Sequence, residues 1–202
     1  MKSNFLPIDL GRPNSFIFDF DSTIVTIETL DTLIKKNLKD DEDRRRIDDI
    51  TTRAMNGELD FNASITLRLS LARVTTEHFA QMARQIEDFL TPGMADFLNF
   101  LRRKGQQLFV VSGGFLEIIR PITVRFDIPE SNCFANEYVH DADDNVVGVK
   151  DGPLIYEDGK STVVRELIRQ NRLPGVIVML GDGMSDYRVY AEGLADLFIG
   201  CG

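Results

Sequence analysis

Residues 16–23 read FIFDFDST. Phe16, Ile17 and Phe18 form a short β-prone apolar run. Two carboxylates, Asp19 and Asp21, close it one residue apart, and Ser22 and Thr23 follow. Side chains of a strand alternate with period two, so Asp19 and Asp21 would point to one side of an extended chain. If the strand stops at Asp19, both emerge at its C-terminal end, where ligands bind in open α/β sheets. Carboxylates held that close repel one another unless a cation or a proton intervenes. Mg2+ suits the position, because it takes hard oxygen ligands and brings phosphate with it. A surface turn after a buried strand also fits the octet alone, since Asp and Ser are ordinary turn residues.

Beyond the octet the chain changes character. Residues 29–90 are rich in charge and helix formers. Leu30, Leu33, Ile34 and Leu38 make one apolar stripe, and Ile65, Leu67, Leu69, Leu71 and Val74 mark a denser one. The reading here is roughly four helices and little strand. Thr75 and Thr76 before Glu77 read as a helix start, and Pro92-Gly93 as punctuation. The run DDEDRRR at 40–46 reads as a solvated helix start with its acids at the positive end of the dipole.

From residue 93 helices and strands alternate. Residues 93–104 read as helix ended by Gly105, QLFVVS at 107–112 as a buried strand, and 114–126 as helix. Residues 132–139 and 146–150 read as a hairpin across the polar turn DADDN. Residues 160–171 read as helix, and VIVML at 176–180 and DLFIG at 196–200 as further apolar strands of the buried parallel kind. This alternation predicts a doubly wound, mostly parallel α/β core built from 1–27 and 92–202, with residues 28–91 inserted as a helical unit after the first strand.

The length of 202 residues suits such a core with one sizeable insertion, and a hydrophobic fraction of 43% supports a real core. No apolar run approaches the roughly 20 residues of a membrane span. The opening MKSNFLPIDLGRP lacks the apolar stretch of a signal peptide, so a cytoplasmic setting is expected rather than export. Cys133 and Cys201 lie far apart without metal-type spacing and read as reduced thiols. The net charge of −9 argues against a nucleic-acid partner, because phosphate backbones require a basic face. A small phosphate ester needs only local positive charge and a divalent metal. Nothing in the sequence sets an oligomeric state.

Three more polar signals fall at expected strand ends and helix starts. VVSGGF at 110–115 sets Ser112 at a strand end, with Gly113 and Gly114 opening a helix whose amides can bind phosphate. MLGDGMSD at 179–186 sets Asp182 between Gly181 and Gly183 just past a strand, with Asp186 four residues on. Asp182 reads as a metal ligand or as the N-cap of the next helix. DGKS at 158–161 sets Lys160 at a helix start, unfavourable for the dipole, so a compensating anion is expected nearby. The four signals together match the needs of phosphoryl transfer, which are an in-line attacker, Mg2+, and cations or amides around the transferring oxygens. Aspartate is an accepted nucleophile toward phosphorus.

The order DxD, Ser, Lys, GDGxxD resembles the haloacid-dehalogenase superfamily of phosphatases. The fuller string DFDSTIVTIETLD at 19–31 is similar to the phosphoserine phosphatases, which carry an acid at the position of Glu28. Met55, Phe61 and Arg68 share the spacing of a Met, a Phe and an Arg in that family's helical cap. The resemblance implies that Asp19 attacks phosphorus to form an aspartyl-phosphate. Asp21 protonates the leaving alkoxide and then activates water. Asp19, the carbonyl of Asp21 and Asp182 hold Mg2+, with Asp186 supporting them, while Ser112, Gly113 and Lys160 hold the phosphoryl oxygens. It further implies that Glu28 takes the ammonium and Arg68 the carboxylate of phosphoserine, and that Met55 and Phe61 exclude water as the cap closes. Surface acid and base pairs and plain cap core are the bland alternatives for these four residues.

In two places the chain departs from the family. Ser185 stands where Asn or Thr is usual, which implies a shorter reach into the phosphate or metal shell. Family members usually continue through another strand and helix after the position of residues 196–200, so that strand is expected at a weak, uncovered sheet edge. Close functional relatives of the reading are a phosphatase for another small phosphorylated metabolite and a phosphotransferase to a small alcohol. A non-catalytic binding module would be expected to lose Asp19, Asp21 or Lys160, and a signalling domain with a persistent phosphoaspartate would not pair it with a base such as Asp21.

Overall fold

The computed structural model describes residues 8–38, 40–55 and 58–201. Strand β1 (Ser15–Phe18) is buried at every position and forms the middle of a five-stranded sheet. It pairs in parallel with β2 (Gln107–Phe115) on one side and β6 (Ile177–Gly181) on the other. Beyond them lie β3 (Cys133–Asn136) and β7 (Leu197–Gly200), also parallel, giving the order β3-β2-β1-β6-β7. A separate antiparallel hairpin joins β4 (Tyr138–His140) to β5 (Val146–Val149). This is the expected doubly wound α/β architecture.

Strand alternation sorts the core into two faces. Phe16, Phe18, Val110 and Leu180 point to the side covered by α5 (Met94–Arg103) and α6 (Leu116–Arg125). Ile17, Phe109, Val111 and Met179 point to the side covered by α7 (Gly159–Arg169) and α8 (Met184–Ala191). Strands covered on both faces read as continuous apolar runs, which is why FIF, LFVV and IVML carry no polar alternation.

Between β1 and α5 the described chain forms four α-helices: α1 (Thr29–Asn37), α2 (Asp41–Met55), α3 (Phe61–Ala72) and α4 (Thr76–Gln85). Asp41, Glu42 and Asp43 occupy the first turn of α2. Asp60 caps α3 by accepting the Ala63 N–H at 2.9 Å. At α4 the Thr75 N–H donates to His78 Nδ1 at 3.0 Å, which helps cap the helix. The chain leaves and re-enters the sheet layer through a narrow neck, where Thr91 N–H donates to Ile24 O and Thr26 N–H to Phe89 O. The β4–β5 hairpin makes a second junction: Val146 N–H donates to Val74 O at 2.8 Å and Thr76 N–H to Asp144 O at 3.1 Å. Phe79 of α4 fills the space between them, edge-on to Phe115 and tilted against Tyr138 at ring separations of 5.1 and 4.7 Å. No helix among the described residues is long and apolar enough to cross a membrane.

Several local expectations need correction. Gly113 and Gly114 do not open a helix, because β2 runs on to Phe115 and α6 starts at Leu116. The cause is an irregularity in pairing: Val111 faces Phe134 and Phe115 faces Asn136, so the intervening residues bulge out of register. The segment 132–139 is not one hairpin strand. Asn136 breaks it, its Nδ2 donating inward to Gly113 O at 2.9 Å, so that 133–136 joins the main sheet and only 138–140 enters the hairpin. Leu67 is 43% exposed, since two residues from Ile65 along a helix is nearly the opposite face. β7 lies at the uncovered sheet edge expected there, but with Ile199 at the surface it lacks the burial read from its apolar run.

Because Phe79 is fully buried between helix, sheet and hairpin, Phe79→Ala is expected to cost about 3–5 kcal/mol. Urea unfolding followed by circular dichroism measures it, and a loss below about 1 kcal/mol would show that the junction does not depend on this ring.

Candidate active site

The site collects where the parallel strands end. β1 stops at Phe18, and the Asp19 N–H still bonds to Leu180 O at 2.8 Å, which seats Asp19 at the rim of the sheet. Asp19 Oδ1 accepts the N–H of Phe20 at 2.7 Å, and its Oδ2 lies 2.9 Å from Lys160 Nζ. The chain then turns sharply. Ser22 takes a left-handed backbone (φ 51°), and the amides of Ile24 and Val25 fold back onto Phe20 O. This turn sends Asp21 away from the lysine and toward the start of α1. Its carboxylate accepts from the Thr29 N–H at 3.2 Å and the Thr29 hydroxyl at 3.3 Å. The two acids of the opening motif therefore face different partners.

Lys160 lies in the first turn of α7, buried, with Nζ 2.7 Å from Asp186 Oδ1 and 2.9 Å from Asp19 Oδ2. These are the compensating anions its position demands. Asp186, fully buried on α8, also accepts the Gly183 N–H at 3.2 Å. It fits only because residue 181 is glycine: a Cβ there would lie 2.2 Å from Asp186 Cγ. Asp182 follows β6 directly and is exposed. Asp19, Asp182 and Asp186 each offer an oxygen within 4.8 Å of the others. One lysine against three carboxylates leaves a surplus of negative charge, and the all-oxygen donor set is the kind that holds a hard divalent cation.

Ser112, buried at the β2 bulge, accepts the Gly114 N–H on its Oγ at 3.0 Å, which leaves its hydroxyl proton free to donate. A Cβ at Gly114 would sit 3.3 Å from both Ser112 Oγ and Asp21 Oδ2, so the bulge and the opening motif meet there. Asn136 holds the Gly113 carbonyl. Glu28 is exposed and accepts the Ser22 hydroxyl at 2.7 Å. Arg68 is nearly enclosed, with Nη1 2.6 Å from Asp31 Oδ1. Ser185, beside Asp186, is half-buried. The side chains of Met55 and Phe61, which end α2 and begin α3, lie outside the described residues.

The electrostatics follow this geometry. Burial is the largest influence on Asp21 and raises it from 3.8 to about 7; the charges of Glu28 and Asp19 add to the rise, and the Thr29 hydrogen bonds oppose it. Burial, then the Asp19 charge, also lifts the Asp182 and Asp186 carboxyls above their ordinary range, although Lys160 opposes the rise at both. Glu28, though exposed, is lifted chiefly by partial loss of solvent at the rim, with Asp182 and Asp19 among the charges that assist. For Lys160 burial works toward a lower value, but Asp19 and Asp186 outweigh it and hold the ammonium above the usual lysine range.

The structure thus brings Asp19, Asp21, Ser112, Lys160, Asp182 and Asp186 to one rim of the sheet. Glu28 stands close enough to feel the charges of Asp19 and Asp182. Arg68 joins this group through Asp31, which is on the same helix as Thr29. The sequence reading missed Thr29, Asp31 and Asn136. Thr29 and Asp31 had a signal, since they fall in the first turn of a helix that starts beside Glu28. Asn136 had none.

The model of the haloacid dehalogenase-like hydrolase family matches residues 16–190. The chain is 31% identical over 185 residues to the phosphoserine phosphatase of Homo sapiens, an alignment covering 92% of this chain and 80% of that protein. A crystal structure of a phosphoserine phosphohydrolase-like protein from Francisella tularensis superposes with a TM-score of 0.73 at 28% identity, covering 93% of this chain and 86% of that one. A phosphoserine phosphatase solved as a phospho-aspartyl intermediate analogue gives a TM-score of 0.71 at 25% identity, with 93% of each chain covered.

The raised Asp21 carboxyl has a definite consequence for stability. The folded state keeps a proton that the unfolded state has released, so this group's contribution falls as pH rises between 3.8 and about 7. With EDTA present, the melting temperature of Asp21→Asn is expected to gain on the wild type across that window, and thermal scans at stepped pH check it. Parallel profiles for the two proteins would mean that Asp21 titrates as a solvated acid.

Proposed function

The chain belongs to the haloacid dehalogenase-like hydrolase family, and from that membership we propose that it is a Mg2+-dependent phosphoserine phosphatase. In this reading residues 1–27 and 92–202 form the catalytic core and 28–91 form a cap over it. The observation that carries the proposal is the division of labour within one turn, where Asp19 lies against the Lys160 ammonium and Asp21 against the Thr29 hydroxyl, with its carboxyl near neutrality.

The roles follow from those environments. Asp19, fixed by the Phe20 amide, attacks phosphorus, and an aspartyl-phosphate forms as the bond to the serine oxygen breaks. Asp21 gives its proton to the leaving alkoxide. It then removes a proton from the water that attacks the aspartyl-phosphate, so that phosphate leaves and both acids return to their starting state. A carboxyl near neutral pH suits a group that must both give and take a proton. The free Ser112 hydroxyl proton, the Gly113 amide and Lys160 supply positive ends for the phosphoryl oxygens. Asp19, Asp182 and Asp186 would hold Mg2+, which when bound neutralises the carboxylate surplus and polarises the phosphoryl group. Glu28 and Arg68 offer opposite charges to the ammonium and carboxylate of the substrate. The identity to phosphoserine phosphatases over most of the chain supports this choice of substrate.

Initial rates of phosphate release, with Mg2+ and with EDTA, test the proposal across L-phosphoserine, phosphothreonine, phosphoethanolamine and p-nitrophenyl phosphate. The expected result is Mg2+-dependent turnover with kcat/KM highest for L-phosphoserine by about tenfold or more, equivalent to about 1.4 kcal/mol. Turnover of p-nitrophenyl phosphate alone would keep the chemistry at Asp19 and discard the role of the cap. Asp19→Asn is expected to lower kcat by at least about a thousandfold while keeping cooperative unfolding, and retained turnover would overturn the mechanism.

A further inference from the structure

The proposed chemistry gives no task to Asp31. Yet its Oδ1 accepts from Arg68 Nη1 at 2.6 Å, across a separation of 37 residues in sequence. The Arg68 side chain is 10% exposed and that of Asp31 31%, so the pair faces the solvent-accessible side through the acid. The rest of the guanidinium is loosely held. Nε reaches the Ser64 carbonyl at a long 3.4 Å, and Nη2 has no hydrogen-bond partner among the described residues. A guanidinium has five N–H donors in a planar fork, and Asp31 engages it through a single oxygen. The Nη2 arm therefore keeps donors that the contact with Asp31 does not use.

Asp31 is also placed by its helix. It lies three residues after Glu28, so the two acids share a face at the start of α1, and the Asp31 charge is one of those that raise Glu28. The result is a short array of Glu28, Asp31 and Arg68, with the arginine at one end. A long side chain loses rotamer entropy when it is fixed. Asp31 fixes Arg68 before any ligand arrives, so the ligand need not bear that cost.

We propose that Asp31 is a positioning residue for substrate selection: it pins one arm of the Arg68 guanidinium in advance and leaves the other arm to receive the carboxylate of the substrate. The inference rests on the reading of the chain as a phosphoserine phosphatase. It assigns selectivity to a residue that touches Arg68 rather than the substrate. A competing role, in which Asp31 occupies Arg68 and must be displaced, predicts a lower KM once Asp31 is removed.

The test measures kcat and KM for the wild type, Asp31→Asn, Asp31→Ala, Arg68→Ala and the double alanine variant on four substrates. L-phosphoserine carries ammonium and carboxylate, 3-phosphonooxypropanoate only the carboxylate, phosphoethanolamine only the ammonium, and p-nitrophenyl phosphate neither. Asp31→Ala is expected to raise KM for the two carboxylates roughly tenfold, with kcat and the other two substrates within about twofold, as suits the loss of one charge-assisted hydrogen bond. Asp31→Asn keeps an acceptor oxygen and is expected to recover most of the loss. In the Arg68→Ala background Asp31→Ala is expected to add nothing.

A lower KM for L-phosphoserine in Asp31→Ala would make Asp31 a competitor and overturn the proposal. So would a loss confined to the ammonium-bearing substrates, an equal loss on all four, or no change in any. A wild type that does not favour L-phosphoserine over p-nitrophenyl phosphate would instead remove the substrate assignment, and this inference with it.

Discussion

The arrangement of the site depends on one buried cation. Lys160 Nζ stands between Asp19 and Asp186, within 2.9 Å of both, and all three side chains are nearly or wholly removed from solvent. Placing carboxylates at these positions without it would leave buried like charges facing each other, a state that proteins avoid by protonation or rearrangement. The lysine can sit there because α7 begins at that point and brings it in at the first turn, and because Gly159 packs where a Cβ would meet Pro153 O at 2.2 Å. Asp186 can sit there because Gly181 leaves it room. Two glycines thus make space for one ion-paired cluster, and the cluster joins β1, α7 and α8. Removing one partner of such a cluster is costly, since the others remain buried and uncompensated.

Global and local charge point in opposite directions here. The chain carries a net charge of −9, yet its proposed ligand is an anion. The conflict resolves at short range, because screening limits surface charges to about a Debye length, roughly 8–10 Å in physiological salt. Within that distance of the rim lie Lys160, the hydroxyl of Ser112 at the β2 bulge, and the surplus carboxylate charge that a divalent cation would neutralise. The acidic surface outside this radius sets solubility more than recognition.

Much of the fold was legible in the sequence because it depends on local pattern. Apolar runs without alternation marked β1, β2 and β6, and Gly105 and Pro92-Gly93 fell where elements end. The four helices between β1 and α5 followed from apolar spacing and their polar starts. What the sequence could not reveal was decided by partners distant in the chain. The bulge at 112–114 exists because β3 pairs with β2 on both sides of it, 20 or more residues away. Asn136 looks like one more polar residue in a strand until its amide is seen holding Gly113. Leu67 reads as core by type, but its angular position on α3 turns it outward. At the site, the Asp and Lys positions were visible from motif spacing. The split between the surroundings of Asp19 and Asp21 was not, since it arises from the left-handed turn at Ser22 and the arrival of Thr29.

The junction between the β4–β5 hairpin and the segment before α4 constrains motion. The helical segment is joined to the sheet layer covalently at the neck near Ile24 and Thr91, and again by backbone hydrogen bonds at Val74 and Thr76. Between these attachments Phe79 packs on Phe115, so lifting the helices from the sheet layer would also expose a buried aromatic contact. A wider opening must either drag the hairpin along as a moving strut or break the bonds to Asp144 and Val146. The hairpin is therefore a second tie between the helical segment and the sheet layer, one whose breakage would separate them without touching the carboxylates at the rim.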